Sequence, residues 1–93
     1  MTFDLKNIEQ LLHDCKTEEA ISALKLAVTR LEGNDKAQAY YLLGLAYQKL
    51  SNWKDAITNY CHAMEINPDS PAAEAYKAAY EILEFFNHDL YNP

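Results

Sequence analysis

Residues 37–70 of the chain read AQAYYLLGLAYQKLSNWKDAITNYCHAMEINPDS. Apolar residues recur at helical spacing on both sides of Ser51 and Asn52, so the stretch predicts two helices joined by a tight turn. Gly44 in the first helix and Ala56 in the second are small residues that allow antiparallel helices to cross closely. We therefore expect a helical hairpin whose tightest contact joins Gly44 to Ala56.

The spacing of residues within this hairpin resembles the signature of the tetratricopeptide repeat (TPR) family, whose repeat is a 34-residue helical hairpin. The positions that match are Tyr40, Leu43, Gly44, Tyr47, Ala56, Tyr60, Ala63 and Pro68. Tyr40 stands where the family often has Trp, and Tyr60 stands where it often has Phe. The resemblance implies an all-α fold, a right-handed stack of antiparallel helix pairs forming an α-solenoid fragment of about five helices.

The rest of the chain is organised around this regular repeat at residues 37–70. Residues 1–36 look like a degenerate repeat, because a shift of 36 positions aligns Glu19, Ala20 and Ile21 with Asp55, Ala56 and Ile57. Residues 71–86 lack the repeat pattern and are predicted to form a C-terminal capping helix over the apolar end of the stack. Residues 87–93 are predicted to be a frayed tail. All 93 residues thus form a single TPR-like domain.

Helix boundaries are predicted from residues that favour helix ends. The first helix is expected to run from Asp4 to Cys15, and Gly33 is expected to end the second. The predicted N-caps are Asp4, Thr17, Asp35 (with Gln38 completing a weak capping box) and Ser70 (with Pro71 at the first helical position). In the fifth helix the side chains expected to pack inward are Tyr76, Ala79, Tyr80 and Leu83, and those expected to face water are Lys77, Glu81 and Glu84.

Composition and charge argue against several classes of function. Eight Lys and Arg residues among fourteen Asp and Glu residues give a net charge of −6, and such a chain lacks the basic patch that neutralises phosphates in a nucleic-acid complex. No stretch approaches the roughly 18 consecutive apolar residues of a membrane span. The N-terminus, MTFDLKNIEQ, also lacks the features of a secretory signal. We expect a cytoplasmic protein that binds neither nucleic acid nor membrane.

The residues with reactive side chains do not form a recognisable chemical motif. Cys15 and Cys61 are predicted to be free thiols. His62 follows Cys61 directly, so the two side chains diverge by about 100° on a helix, and His13 and His88 have no suitably spaced partner for a metal site. Phosphate loops and nucleophile elbows are absent from the sequence. We expect no metal, no cofactor and no enzymatic activity.

The TPR resemblance implies a concave groove, lined by the first helix of each repeat, that binds a peptide or a segment of a partner protein. Helical phase relative to Gly44, together with the 36-residue shift, gives the predicted contact residues as Leu5, Glu9, Leu12, His13, Gln38, Tyr41, Leu45, Gln48 and Lys49. The fifth helix is a candidate for the other wall of the groove. Trp53 is expected to pack against the preceding helix and is left out of this set.

Two further interpretations concern what fills the groove. Some TPR domains bind a C-terminal carboxylate through Lys and Asn side chains, but apolar or acidic residues occupy those places here and Lys49 alone does not suffice. The competing interpretation is a self-associating structural subunit, a homodimer formed through the groove and the fifth helix. It rests on apolar residues on more than one side of that helix, namely Ile82, Phe85 and Phe86.

Overall fold

The computed structural model describes the backbone of residues 4–91 and the side chains of residues 4–85. Within this part of the chain the fold is all-α, with five helices and no strand, as predicted. The helices are α1 (Leu5–His13), α2 (Thr17–Arg30), α3 (Gly33–Lys49), α4 (Trp53–Ile66) and α5 (Ala72–Tyr91). None of the helices found in residues 4–91 is long and apolar enough to cross a membrane.

The helices pack mainly on their neighbours in the chain, which gives an elongated molecule of 52 × 28 × 18 Å. α3 occupies the centre, because it packs extensively on α2 and α4 and also contacts α1 and α5. Its sequence explains this position, since apolar residues surround nearly the whole helix and require cover on several sides. The residues of α3 that are buried are Ala37, Ala39, Leu42, Leu43, Gly44 and Ala46.

Two clusters of buried side chains form the core, and they meet on α3. The first joins α1, α2 and α3, and its buried members are Ile8, Leu12, Ala20, Ile21, Leu24, Ala27, Ala39, Leu42, Leu43 and Ala46. The second joins α4 and α5 through Ala56, Tyr60, Ala63, Ala72 and Ala79. Four partly buried residues of α3 pack against both clusters, namely Tyr40, Tyr41, Leu45 and Tyr47. The core therefore depends on α3 for its continuity.

The closest approach at Gly44 is made by the ring of Tyr60 in α4. A β-carbon added at Gly44 would lie 2.9 Å from Cζ of Tyr60 and closer still to Cδ1 and Cε1. The tightest contact of Gly44 was predicted to be with Ala56, but the atoms nearest to position 44 belong to Tyr60. Ala56 is itself fully buried, but Tyr60, one turn further along α4, fills the space that the missing side chain leaves.

The turns that end α1 and α3 repeat at a shift of 36 residues. Cys15 and Ser51 both have left-handed backbone conformations, with φ of 63° and 60°. In the first turn the amide of Lys16 donates a hydrogen bond to the carbonyl of Leu11 (2.8 Å). In the second turn the amide of Asn52 donates one to the carbonyl of Tyr47 (2.9 Å). This is the Schellman pattern of helix termination. α2 and α4, which follow these turns, both contain 14 residues.

Polar side chains accept hydrogen bonds at three helix starts, and two of these residues, Asp4 and Ser70, were predicted caps. Asp4 caps α1, because its carboxylate accepts hydrogen bonds from the amides of Lys6 (3.0 Å) and Asn7 (3.4 Å). Asn52, placed in the turn before α4, accepts one from the amide of Asp55 (3.3 Å). The buried hydroxyl of Ser70 accepts a hydrogen bond from the amide of Ala72 (3.1 Å), but α5 begins at Ala72, so Pro71 is not its first residue as predicted.

Other predicted helix ends were wrong. α1 ends at His13, two residues before the expected end, and Thr17 is the buried first residue of α2 instead of its cap. Gly33 does not end α2. It is the first residue of α3 and has a φ of 61°, a conformation that glycine adopts without strain. Asp35 therefore lies within the first turn of α3.

The fifth helix is longer and more exposed than predicted. It extends to Tyr91, five residues beyond the expected end at Phe86, so most of the expected tail is helical. Ala79 is buried and Lys77 faces water, as predicted, but Tyr80 is 47% exposed instead of packed inward. Predictions were also made for Phe86, as an apolar residue of the fifth helix, and for His88, as a histidine without a metal-binding partner. Their side chains lie outside the described residues.

The contact between Gly44 and Tyr60 predicts the effect of filling the space at position 44. Gly44→Ala should lower the free energy of unfolding by about 1–2 kcal/mol, because overpacking costs about 1–3 kcal/mol and the better helix propensity of Ala offsets at most about 1 kcal/mol. Urea denaturation measures this change. In a Tyr60→Leu background the same substitution should be neutral or stabilising. Stabilisation of the otherwise wild-type protein by Gly44→Ala would show that the contact is not tight.

Candidate functional site

A concavity of about 580 Å³ lies between α1 and α3 and is bounded at one end by the start of α4. We call it the α1–α3 groove. Its lining residues are Glu9, Leu12 and His13 from α1, Tyr41, Leu42, Leu45, Gln48 and Lys49 from α3, and Trp53 from α4. Helical spacing explains this grouping, because positions 41, 45, 48 and 49 fall on one face of α3.

The structure brings together seven of the nine predicted contact residues, which are Glu9, Leu12, His13, Tyr41, Leu45, Gln48 and Lys49. The other two lie close by in the fold but outside the lining. Gln38 donates a hydrogen bond from Nε2 to Oε1 of Glu9 (3.4 Å), and Leu5 packs against the buried cluster of α1, α2 and α3. The sequence therefore located the groove, and the role of its residues in binding remains a prediction.

Two lining residues were missed by sequence reasoning. Trp53 was expected only to pack on the preceding helix, and it does join the second core cluster, but part of it also faces the groove. The turn at Ser51 and Asn52 was the available signal, because it places the first residue of α4 beside the end of α3. Leu42 is almost fully buried and forms part of the groove floor.

The fifth helix does not form a wall of the groove in the part of α5 whose side chains are described. None of residues 72–85 is among those that line it. α5 packs chiefly on α4, and it contacts α3 only slightly. The expectation that this helix forms the other wall of the groove was therefore wrong for the described side chains.

Tyr60 contacts two residues of the groove lining from the interior of the protein. The fully buried side chain donates a hydrogen bond from its hydroxyl to Oε1 of Gln48 (2.7 Å). The Tyr60 ring also packs against the ring of Tyr41, with centroids 6.1 Å apart and planes inclined by 38°. Because the oxygen of the Gln48 amide is engaged by Tyr60, the N–H groups of that amide are the part available to a ligand.

The environment of Tyr60 keeps its hydroxyl protonated. Burial raises the pKa of Tyr60 above its ordinary value of 10.0, and the nearby Tyr41 raises it further. An uncharged hydroxyl can donate to Gln48 throughout the neutral range. The orientation of Gln48 is therefore insensitive to pH under physiological conditions.

The two cysteines differ in exposure, and neither forms a disulfide. Cys15 is exposed, Cys61 is half-buried, and both are free. Burial, together with Glu65, raises the pKa of the Cys61 thiol, which makes it a weaker nucleophile at neutral pH. His62 packs its ring against Tyr40, with centroids 5.0 Å apart. Within the described residues, no three His, Cys, Asp or Glu side chains come together as a metal site.

The raised pKa of Tyr60 predicts how stability depends on pH. The unfolded chain releases the Tyr60 proton above about pH 10, whereas the folded state retains it. The free energy of unfolding should therefore fall as the pH rises beyond 10, and Tyr60→Phe should remove this part of the fall. The variant should be about 1 kcal/mol less stable than wild type at pH 8, since it loses one hydrogen bond.

Urea denaturation of both proteins between pH 8 and 11 measures this difference. The six other tyrosines are present in both proteins, so their contributions largely cancel. The stability gap between wild type and Tyr60→Phe should narrow above pH 10. Parallel curves over the whole range would contradict the proposed environment of Tyr60.

The chain is similar to a solved structure over nearly its whole length. The solution NMR structure of Bacteroides fragilis protein BF1650 has a TM-score of 0.86 and 44% sequence identity to this chain. The similarity covers 98% of this chain and 91% of that one. No family model matches the sequence, and no curated protein matches it. At this identity over nearly the full length, the chain belongs to the same protein family as BF1650.

Proposed function

We propose that the protein is a TPR-type interaction module whose α1–α3 groove binds a segment of a partner protein. One observation carries the proposal, namely that seven residues chosen from sequence as partner contacts line a single concavity. They come from two helices separated by α2 and converge only in the folded chain. The same surface is where TPR proteins, as a family, bind their ligands.

The repeated helix termination supports the TPR assignment. α1 and α3 end in the same hydrogen-bonded turn with a left-handed residue, at Cys15 and Ser51. Each is followed by a 14-residue helix. This recurrence is expected if residues 1–36 and 37–70 are successive repeats of one unit, the first degenerate. The proposal therefore includes a right-handed stack of two helix pairs, with α5 as the cap.

The groove has the composition of a protein-binding site. Leu12, Tyr41, Leu45 and Trp53 provide aliphatic and aromatic surface, and such side chains supply most of the binding energy in protein interfaces. Polar groups at the edges of the groove would orient the bound segment. The proposal involves no catalytic step, no cofactor and no nucleic-acid partner, in keeping with the net charge of −6, and it places the protein in the cytoplasm.

Substitution in the groove tests the proposal. Tyr41→Ala combined with Leu45→Ala should weaken capture of the partner at least tenfold, because each anchor contributes on the order of 1–2 kcal/mol. Circular dichroism checks that the variant remains folded. The matched control is Leu26→Ala with Ile66→Ala, two exposed apolar residues outside the groove. Equal loss of capture in both double variants, or in neither, would contradict a binding role for the groove.

Self-association is the second candidate function, and exposed apolar residues on more than one side of α5 favour it. Tyr80, Ile82 and Phe85 are 47%, 37% and 67% exposed. Apolar exposure of this extent on one helix is typical of an interface. A protein acting as a structural subunit would therefore form a homodimer with no separate peptide ligand.

Light scattering at micromolar concentration separates the two candidates. A structural subunit should be a dimer that Tyr80→Ser with Ile82→Ser converts to a monomer. Tyr41→Ala with Leu45→Ala should leave that dimer intact if the groove serves other partners. A wild-type protein that is monomeric throughout the micromolar range would rule out the second candidate.

A further inference from the structure

The α1–α3 groove carries opposite charges at its two ends. Glu9 lies at one end, where the side chain of Gln38 donates a hydrogen bond to it. Lys49 lies at the other end, and no ion pair joins it to another side chain in residues 4–85. Gln38 and Lys49 are eleven residues apart on α3, which corresponds to about 16 Å along the helix. The groove therefore has a negative charge at one end and a positive charge at the other.

The wall between these ends is largely apolar. Leu12, Tyr41 and Leu45 line it, and His13 is exposed at its rim. An extended peptide laid across this surface would turn many of its backbone N–H and C=O groups toward Leu12, Leu45 and the ring of Tyr41, and groups left without a partner cost free energy. A helix satisfies its own backbone hydrogen bonds and presents only side chains to the groove. The lining thus favours a helical occupant.

We infer that the groove binds an amphipathic helix that carries a basic residue at one end of its apolar stripe and an acidic residue at the other. This inference rests on the proposed function of the groove and specifies the chemistry of its partner. The basic residue lies beside Glu9. The acidic residue lies beside Lys49, where the N–H groups of Gln48 are also available to its carboxylate.

The spacing of residues on the partner follows from helix geometry. Positions i, i+4, i+7 and i+11 lie on one face of a helix, and the first and last are about 16 Å apart. The same rise along α3 separates Gln38, the hydrogen-bond partner of Glu9, from Lys49. The partner helix should therefore have charged residues of opposite sign at i and i+11 and large apolar residues at i+4 and i+7. The order of the charges fixes the direction in which the helix lies.

Three synthetic helical peptides test the inference. They share Leu at i+4 and i+7, lack Trp, and differ only at i and i+11, with Lys and Glu, Glu and Glu, or Lys and Lys. Trp53 is the single Trp of the chain and lines the groove, so its fluorescence reports binding directly. Wild type should bind the Lys and Glu peptide about three- to fivefold more tightly than the others, as expected for ion pairs at a solvated edge.

Charge reversal at each end should change the preferred peptide. Glu9→Lys should bind the Glu and Glu peptide best, and Lys49→Glu should bind the Lys and Lys peptide best. The matched controls are Glu65→Lys and Lys25→Glu, which make the same changes in net charge at exposed positions outside the groove. Both controls should keep the wild-type preference. The preferences should weaken in 0.5 M NaCl, because salt screens exposed charges.

The possible failures are distinguishable. If wild type binds all three peptides equally and Leu45→Ala weakens all three, the groove binds apolar helices and the charge inference is wrong. If the charge-reversal variants and their controls change preference alike, net charge and not the groove determines selection, which also overturns the inference. If none of the peptides alters Trp53 fluorescence or competes with the captured partner, the proposed helix-binding site fails as well.

Discussion

The ring of Tyr60 packed against the bare backbone at Gly44 determines how closely α3 and α4 approach. A side chain at position 44 would collide with that ring, and a smaller residue at position 60 would leave a cavity in its place. Because Tyr60 is fully buried, it contributes as a large apolar group. Its hydroxyl nevertheless has a partner in Gln48, so burial leaves no polar atom unsatisfied.

This contact connects the interior of the α3–α4 hairpin to the α1–α3 groove. Tyr60 touches Tyr41 through its ring and Gln48 through its hydroxyl, and both of these residues line the α1–α3 groove. Tyr60 therefore fills the space where α3 and α4 cross and also supports two residues that line the groove. Tyr41 and Leu45 of α3 pack against both core clusters and also line the groove, so a substitution at either residue affects both.

Much of the fold follows from local patterns in the sequence. The helical period, the turn at Ser51 and Asn52, and the caps at Asp4 and Ser70 predict the five helices, since each depends on neighbouring residues alone. The phase of α1 and α3 predicts most of the groove lining for the same reason. All of these features are set within one or two turns of a helix.

The predictions that failed concern contacts between elements or unusual backbone geometry. Gly33 was predicted to end α2 because glycine commonly terminates helices. In the structure Gly33 has a positive φ and stands at the start of α3. Spacing could not distinguish Ala56 from Tyr60 as the neighbour of Gly44, because both lie on the buried face of α4. Tyr80 was expected to be buried with Ala79, but consecutive side chains on a helix diverge by about 100°, and only Ala79 faces the core.

The most direct test of the account is to map amide chemical-shift changes in isotope-labelled protein when its partner binds. The changes should concentrate at positions 9–13 of α1 and 41–49 of α3, with the indole N–H of Trp53 among the largest. Shifts confined to α5, or to the faces of α2 and α4 that point away from the groove, would contradict the assignment of the α1–α3 groove as the binding site.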